Sequence, residues 1–151
     1  MALPYAYGRG KLMKIASALL LTIFFGLQAT ATQPLKQFTP GDLCSEQDPN
    51  FKEYRYAAHV AVCTRNVSYN EKVQIAKSYG VPETEWQNYE FDHLIPLNAG
   101  GSDDIKNLWP QPIVEAHEKD AVEQATFDGL NNGTLTQTQA MQMIWDWINQ
   151  H

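Results

Sequence analysis

The residues from Tyr89 to Pro112, YEFDHLIPLNAGGSDDIKNLWPQP, constrain the fold more than any other part of the chain. Asp92 and His93 stand at the entry to Leu94-Ile95-Pro96-Leu97, an apolar run too short for a helix and bounded by turn residues. Such a run reads as a buried strand or extended segment. Ala99-Gly100-Gly101-Ser102-Asp103-Asp104 then supplies residues that accept turn geometry. Asn107-Leu108-Trp109-Pro110 follows as a second extended piece, because a residue before proline is pushed out of the α region. A carboxylate and an imidazole beside an apolar strand are costly unless paired, hydrogen-bonded or bound to metal. The plain alternative is Asp92 capping a turn and His93 serving as a satisfied structural histidine.

The succession DHLIPL, then GG, then NLWP resembles the HNH endonuclease family, whose ββα-metal finger has this order of parts. The resemblance is specific over Tyr89 to Glu123, weaker over Cys63 to Tyr79, and absent from the N-terminal segment. It implies an α+β fold, with a finger core at 89–128 embedded in a mostly helical single domain. It also implies a division of labour: Asp92 on a metal ion, His93 activating water, and Asn107 bracing the loop and helping to orient the histidine. At the third motif position the sequence departs from the family. Counting three residues back from Lys119 lands on Ala116, which cannot bind metal, with Glu115 and His117 on either side. A one-residue shift turns a helix by about 100°, so these positions are not interchangeable. His117 is taken as the second ligand, with Glu115 or no protein ligand as alternatives. Secreted members of that family are similarly loose at this position and keep a KD-x-x-E run, which resembles Lys119-Asp120-Ala121-Val122-Glu123 here.

Residue chemistry points the same way. Phosphodiester hydrolysis requires a nucleophilic water, a charge partner for the phosphoryl oxygens and help for the leaving alkoxide. A divalent cation supplies the last two as a Lewis acid, and a general-base histidine supplies the first. Asp92 is a hard oxygen donor, suited to Mg²⁺ or Mn²⁺ above all and also to Ca²⁺. Neighbours in a strand point to opposite faces, so Asp92 and His93 can share a site only through local twisting or a bulge. Arg65, Lys72, Lys77, Lys106 and Lys119 are candidate phosphate contacts, and Lys106 and Lys119 are assigned for their nearness to the motif. Nothing suggests base-specific readout.

The remaining chain reads as export and support. Lys14 precedes a 13-residue apolar run, Ile15 to Leu27, and Ala29-Thr30-Ala31 offers a small-x-small cleavage site. That is the anatomy of a secretory signal peptide over residues 1–31, with Met13 as an alternative start. Cleavage would leave residues 32–151 as one domain, periplasmic or secreted, monomeric and without a membrane anchor. It would remove Arg9, Lys11 and Lys14 but no acids, leaving 8 basic and 17 acidic side chains and a net charge of −9. Phosphate binding ordinarily draws on a basic footprint, so a local groove or a bound cation must supply the attraction. The two cysteines, Cys44 and Cys63, are expected to form one bridge in an oxidising compartment.

Phe51, Tyr54, Ala58 and Val62 recur near helical spacing, which predicts a helix between Asp48 and Asn66. Ser68 with Glu71 forms a capping box for a helix that ends at Gly80. After Pro112 a helix should turn Ile113, Ala116, Val122 and Ala125 inward and Glu115, Glu118, Lys119 and Glu123 outward. Thr136 with Gln139 caps a last helix, in which Met141, Ile144, Trp145 and Ile148 form a packing stripe. The expected activity is metal-dependent endonucleolytic hydrolysis of DNA, with RNA as a second substrate, at low sequence specificity. The rival expectation keeps the fold and drops catalysis, leaving a secreted binding or interaction module.

Overall fold

The computed structural model describes residues 33–151, so the predicted signal peptide lies outside the described residues. The described chain is α+β, with two antiparallel strand pairs and three α-helices. The first pair joins β1 (Phe51–Arg55) to β2 (Val60–Cys63), and the second joins β3 (Tyr89–His93) to β4 (Leu108–Pro112). The helices are α1 (Tyr69–Tyr79), α2 (Ile113–Asn131) and α3 (Gln137–Ile148).

The helix expected between Asp48 and Asn66 is instead the β1–β2 hairpin. Val60 and Val62 are both buried, a period of two that belongs to a strand and competes with the helical spacing of Phe51, Tyr54, Ala58 and Val62. The turn between the strands runs through Tyr56 and His59, both with positive φ, and the His59 ring stacks on Tyr54 at 4.0 Å. The Cys44–Cys63 disulfide forms, and it ties the N-terminal segment to the end of β2 rather than to a helix.

Local signals elsewhere held their meaning. Ser68 and Glu71 satisfy each other's backbone donors at the start of α1, and Gly80 closes it in the left-handed conformation at φ 70°. Thr136 and Gln139 make the same reciprocal cap on α3. Ile144 and Ile148 of α3 pack with Leu94 and Trp109. Pro112 opens α2, a place proline tolerates because its missing N–H has no helical partner there.

The β3–β4 pair carries the site. The strand ends at His93, one step before the apolar run that was expected to form it. Leu94 and Ile95 are buried just beyond, and Leu97–Ala99 is a single 3₁₀ turn. Tyr89, Phe91 and His93 face inward on one side, with Tyr89 and Phe91 against Ile75, Ala76 and Leu108. Asp92 lies on the opposite side, paired in register with Trp109. Strand alternation therefore separates the Asp92 and His93 side chains, as their adjacency requires.

Helix α2 packs against the Asp92 side. Its buried residues are Ala116, Lys119, Thr126, Gly129 and Leu130. Ile113, expected to point inward, is exposed, and Lys119, expected to point outward, is fully buried. A buried lysine is costly unless opposite charge and hydrogen-bond acceptors surround it. They do here, and they define the site.

Candidate functional site

The Lys119 ammonium stands where β3 ends against the first half of α2. Its Nζ lies 2.6 Å from Asp92 Oδ2 and 2.8 Å from Glu123 Oε1, and it donates at 2.5 Å to the His93 carbonyl. Lys119 and Glu123 share a helix face through their i,i+4 spacing. Burial alone would drive the Lys119 ammonium towards its neutral form, but Asp92 and Glu123 outweigh it and hold the pKa above the ordinary lysine value. Burial pushes the Glu123 carboxyl above the ordinary range, against the pull of Lys119, and the nearby Asp92 charge adds to the rise.

His93 turns the other way, into the loop after β3. It is 3 % exposed. Its Nε2 lies 2.8 Å from Asp103 Oδ1, and Arg65 Nη1 lies 3.1 Å from its Nδ1. Burial is the main cause that lowers its pKa below the ordinary imidazole value, with Arg65 adding to the drop and Asp103 and Asp92 opposing it. Arg65 also donates to the Phe91 carbonyl at 2.5 Å and stands 4.0 Å from Asp92 Oδ1. One half-exposed guanidinium thus reaches both members of the Asp-His pair across the strand edge.

Asn107 holds the loop between the strands. It is completely buried. Its Nδ2 donates to the carbonyls of Ile95 at 2.9 Å and Ser102 at 2.8 Å, and its Oδ1 accepts from Ile95 N at 3.0 Å. Gly101 is required alongside, because a Cβ there would overlap the Ile95 carbonyl oxygen.

Arg65, Asp92, His93, Pro96, Leu97, Asn98 and Glu123 line a cleft of roughly 280 Å³. His117 is not among them. It is exposed on α2 and lines a neighbouring groove with Arg65, Lys72, Trp86 and Glu90. Residues 117 and 119 stand about 200° apart around a helix, so one cannot take the other's place. Glu115 is partly buried and also outside the cleft. Lys106 is exposed in the turn before β4 and does not line the cleft, while Lys119 offers no free surface for a phosphate.

Glu123 and Asp103 belong to the site although neither is among the residues expected in it. Glu123 carries a local signal, because it follows Lys119 by one helical turn. Asp103 carries none, because only the folded loop brings it under His93.

The cleft holds oxygen donors of the kind that could take a hard divalent cation, and the Lys119 ammonium already lies against both carboxylates. Asp92 and Glu123 contribute carboxylates, and Asn98 Oδ1 is buried without a hydrogen-bond partner. Among the described residues, the one tight group of three potential ligand side chains is Cys44, Asp48 and Cys63, and its thiols are consumed by the disulfide. No protein-family model, curated protein or solved structure matches the chain.

Proposed function

We propose that the chain is a metal-dependent nuclease of the HNH type, exported from the cell, that hydrolyses phosphodiester bonds of DNA or RNA with low sequence specificity. The observation that carries this reading is the shared cleft of Asp92, His93 and Glu123, with Arg65 at its edge. Asp92 and Glu123 would hold the cation, with Asn98 Oδ1 as a further oxygen donor. Such an ion supplies Lewis-acid stabilisation of the phosphoryl oxygens and the leaving group.

The chain's own groups do the rest. His93, kept neutral by burial, takes a proton from the attacking water. Arg65 is the cation best placed to meet a phosphate oxygen, since it is half-exposed and already lines the cleft. Asn107 holds the loop that aligns the histidine. Lys119 sits between the two carboxylates, offsetting their mutual repulsion and fixing their spacing.

A second reading draws on that same lysine. Its ammonium already lies against both carboxylates, which suits a finger that has exchanged its cation for a side chain and survives as a binding module. A plasmid-nicking assay separates the two. The nuclease reading expects nicking with Mg²⁺ or Mn²⁺ that EDTA abolishes and His93→Ala loses. Absence of nicking with every divalent ion supports the module.

A further inference from the structure

We infer that Asp103 is a positioning residue that fixes the proton of His93 on Nε2 and leaves Nδ1, on the Arg65 side, as the proton acceptor. The inference rests on the nuclease reading for its catalytic meaning, although the tautomer itself does not depend on it.

Two partners define the ring. A guanidinium has only N–H donors, so the Arg65 Nη1 contact with Nδ1 at 3.1 Å requires a lone pair on that nitrogen. The proton of the neutral ring then lies on Nε2 and is donated to Asp103 Oδ1 at 2.8 Å. Asp103 is 2 % exposed, and its second oxygen is engaged as well. Oδ2 accepts from the backbone N–H of Asn66 at 2.6 Å and from Asn50 Nδ2 at 3.3 Å. Rotating the carboxylate would break both bonds, so it is held facing the imidazole.

The loop that delivers Asp103 is the one Asn107 braces. Asn107 Nδ2 holds the carbonyl of Ser102, the preceding residue, and Ser102 N donates to the Asp42 carbonyl at 2.9 Å. Asn107 therefore acts on His93 through Asp103. During attack, a water O–H bond breaks and an N–H bond forms at Nδ1. The new P–O bond forms as the bond to the leaving alkoxide breaks, and solvent protonates the alkoxide. Arg65 must release Nδ1 for this, and a phosphate oxygen in the cleft offers it a stronger acceptor. The imidazolium that forms keeps the Asp103 charge across its Nε2–H, the relation of carboxylate, histidine and substrate seen in hydrolytic triads.

Asp103→Asn tests the inference. The Asn66 N–H would hold the amide oxygen at the Oδ2 position, turning the NH₂ group onto Nε2. Nε2 must then accept, and the proton moves to Nδ1. Long-range ¹⁵N–¹H NMR spectra at about pH 8, above the ordinary imidazole range, should show Nε2–H in the native protein and Nδ1–H in the variant. Arg65→Met should retain Nε2–H, because Asp103 sets the tautomer. Cleavage by Asp103→Asn should fall about 10²–10⁴-fold in kcat with KM little changed. Nδ1–H in the native protein, a switch to Nδ1–H in Arg65→Met, or Nε2–H retained in Asp103→Asn would each overturn the inference. The spectra read the tautomer whether or not the protein cleaves, so a native chain without nuclease activity counts against the proposed function alone. Should Asp103→Asn fail to fold, the native and Arg65→Met spectra still decide the matter.

Discussion

Lys119 Nζ lies 2.6 Å from Asp92 Oδ2, and no part of the lysine side chain reaches solvent. This pair joins α2 to β3 and sets which face of the helix meets the strand. Removing one partner of a buried ion pair leaves its counterpart uncompensated, at a cost of about 3–5 kcal/mol. Asp92 and Glu123 are partly exposed, so solvent recovers some of that loss. Lys119→Met should therefore destabilise the fold by about 2–3 kcal/mol in urea denaturation. The same variant should bind Mn²⁺ more tightly in calorimetry, because both carboxylates lose the competing ammonium. Unchanged stability together with unchanged metal affinity would show that the lysine is incidental.

Asn107 should prove structurally indispensable. Asn107→Ala strips partners from Ile95 N, Ile95 O and Ser102 O, all within the buried loop. The expected loss is about 3 kcal/mol by denaturant titration, given about 1–3 kcal/mol for each unsatisfied buried group and some rescue by water. Gly101→Ala should cost at least as much, since backbone must move to relieve the overlap with Ile95. A midpoint unchanged in both variants would show that the loop does not depend on this brace.

The metal-free protein should lose stability as pH falls through the mildly acid range. Burial lowers the His93 pKa in the folded state relative to the unfolded chain. Its contribution is thus fully present above the ordinary imidazole value of about 6.5, and is lost as pH drops towards the folded value. Denaturant midpoints measured in EDTA across this window should decline, and His93→Gln should flatten the decline. A slope that survives the substitution would place its origin in another group.

Much of the frame is legible because its signals are local. The caps Ser68–Glu71 and Thr136–Gln139 lie within four residues and depend on nothing distant. Cys44 and Cys63 pair because the chain holds no other cysteine. Asn107 sits as a polar residue between turn and strand, and bracing is the use that burial leaves it. The β1–β2 hairpin was hidden by the absence of an Asn-Gly or Asp-Gly turn. Its turn places positive φ on Tyr56 and His59, residue types that seldom adopt it. Lys119 and Glu123 read as outward-facing because charges are seldom buried. Burial of the lysine becomes tolerable once Asp92, brought across from β3, joins Glu123 beside it. Asp103 was invisible for a related reason: its partners His93, Asn66 and Asn50 converge on it only in the folded chain.

In the proposed nuclease the cation would be held by Asp92 and Glu123, on either side of the Lys119 ammonium, and not beside His117. Initial rates of Mn²⁺-dependent plasmid nicking, measured side by side for Asp92→Asn, Glu123→Gln and His117→Ala at matched thermal stability, decide between the two positions. The two carboxylate variants should each lose at least about 10²-fold, as expected when an electrostatic contributor to the transition state is removed. His117→Ala should keep a near-native rate. Loss in His117→Ala with activity retained in Glu123→Gln would contradict the placement at Asp92 and Glu123.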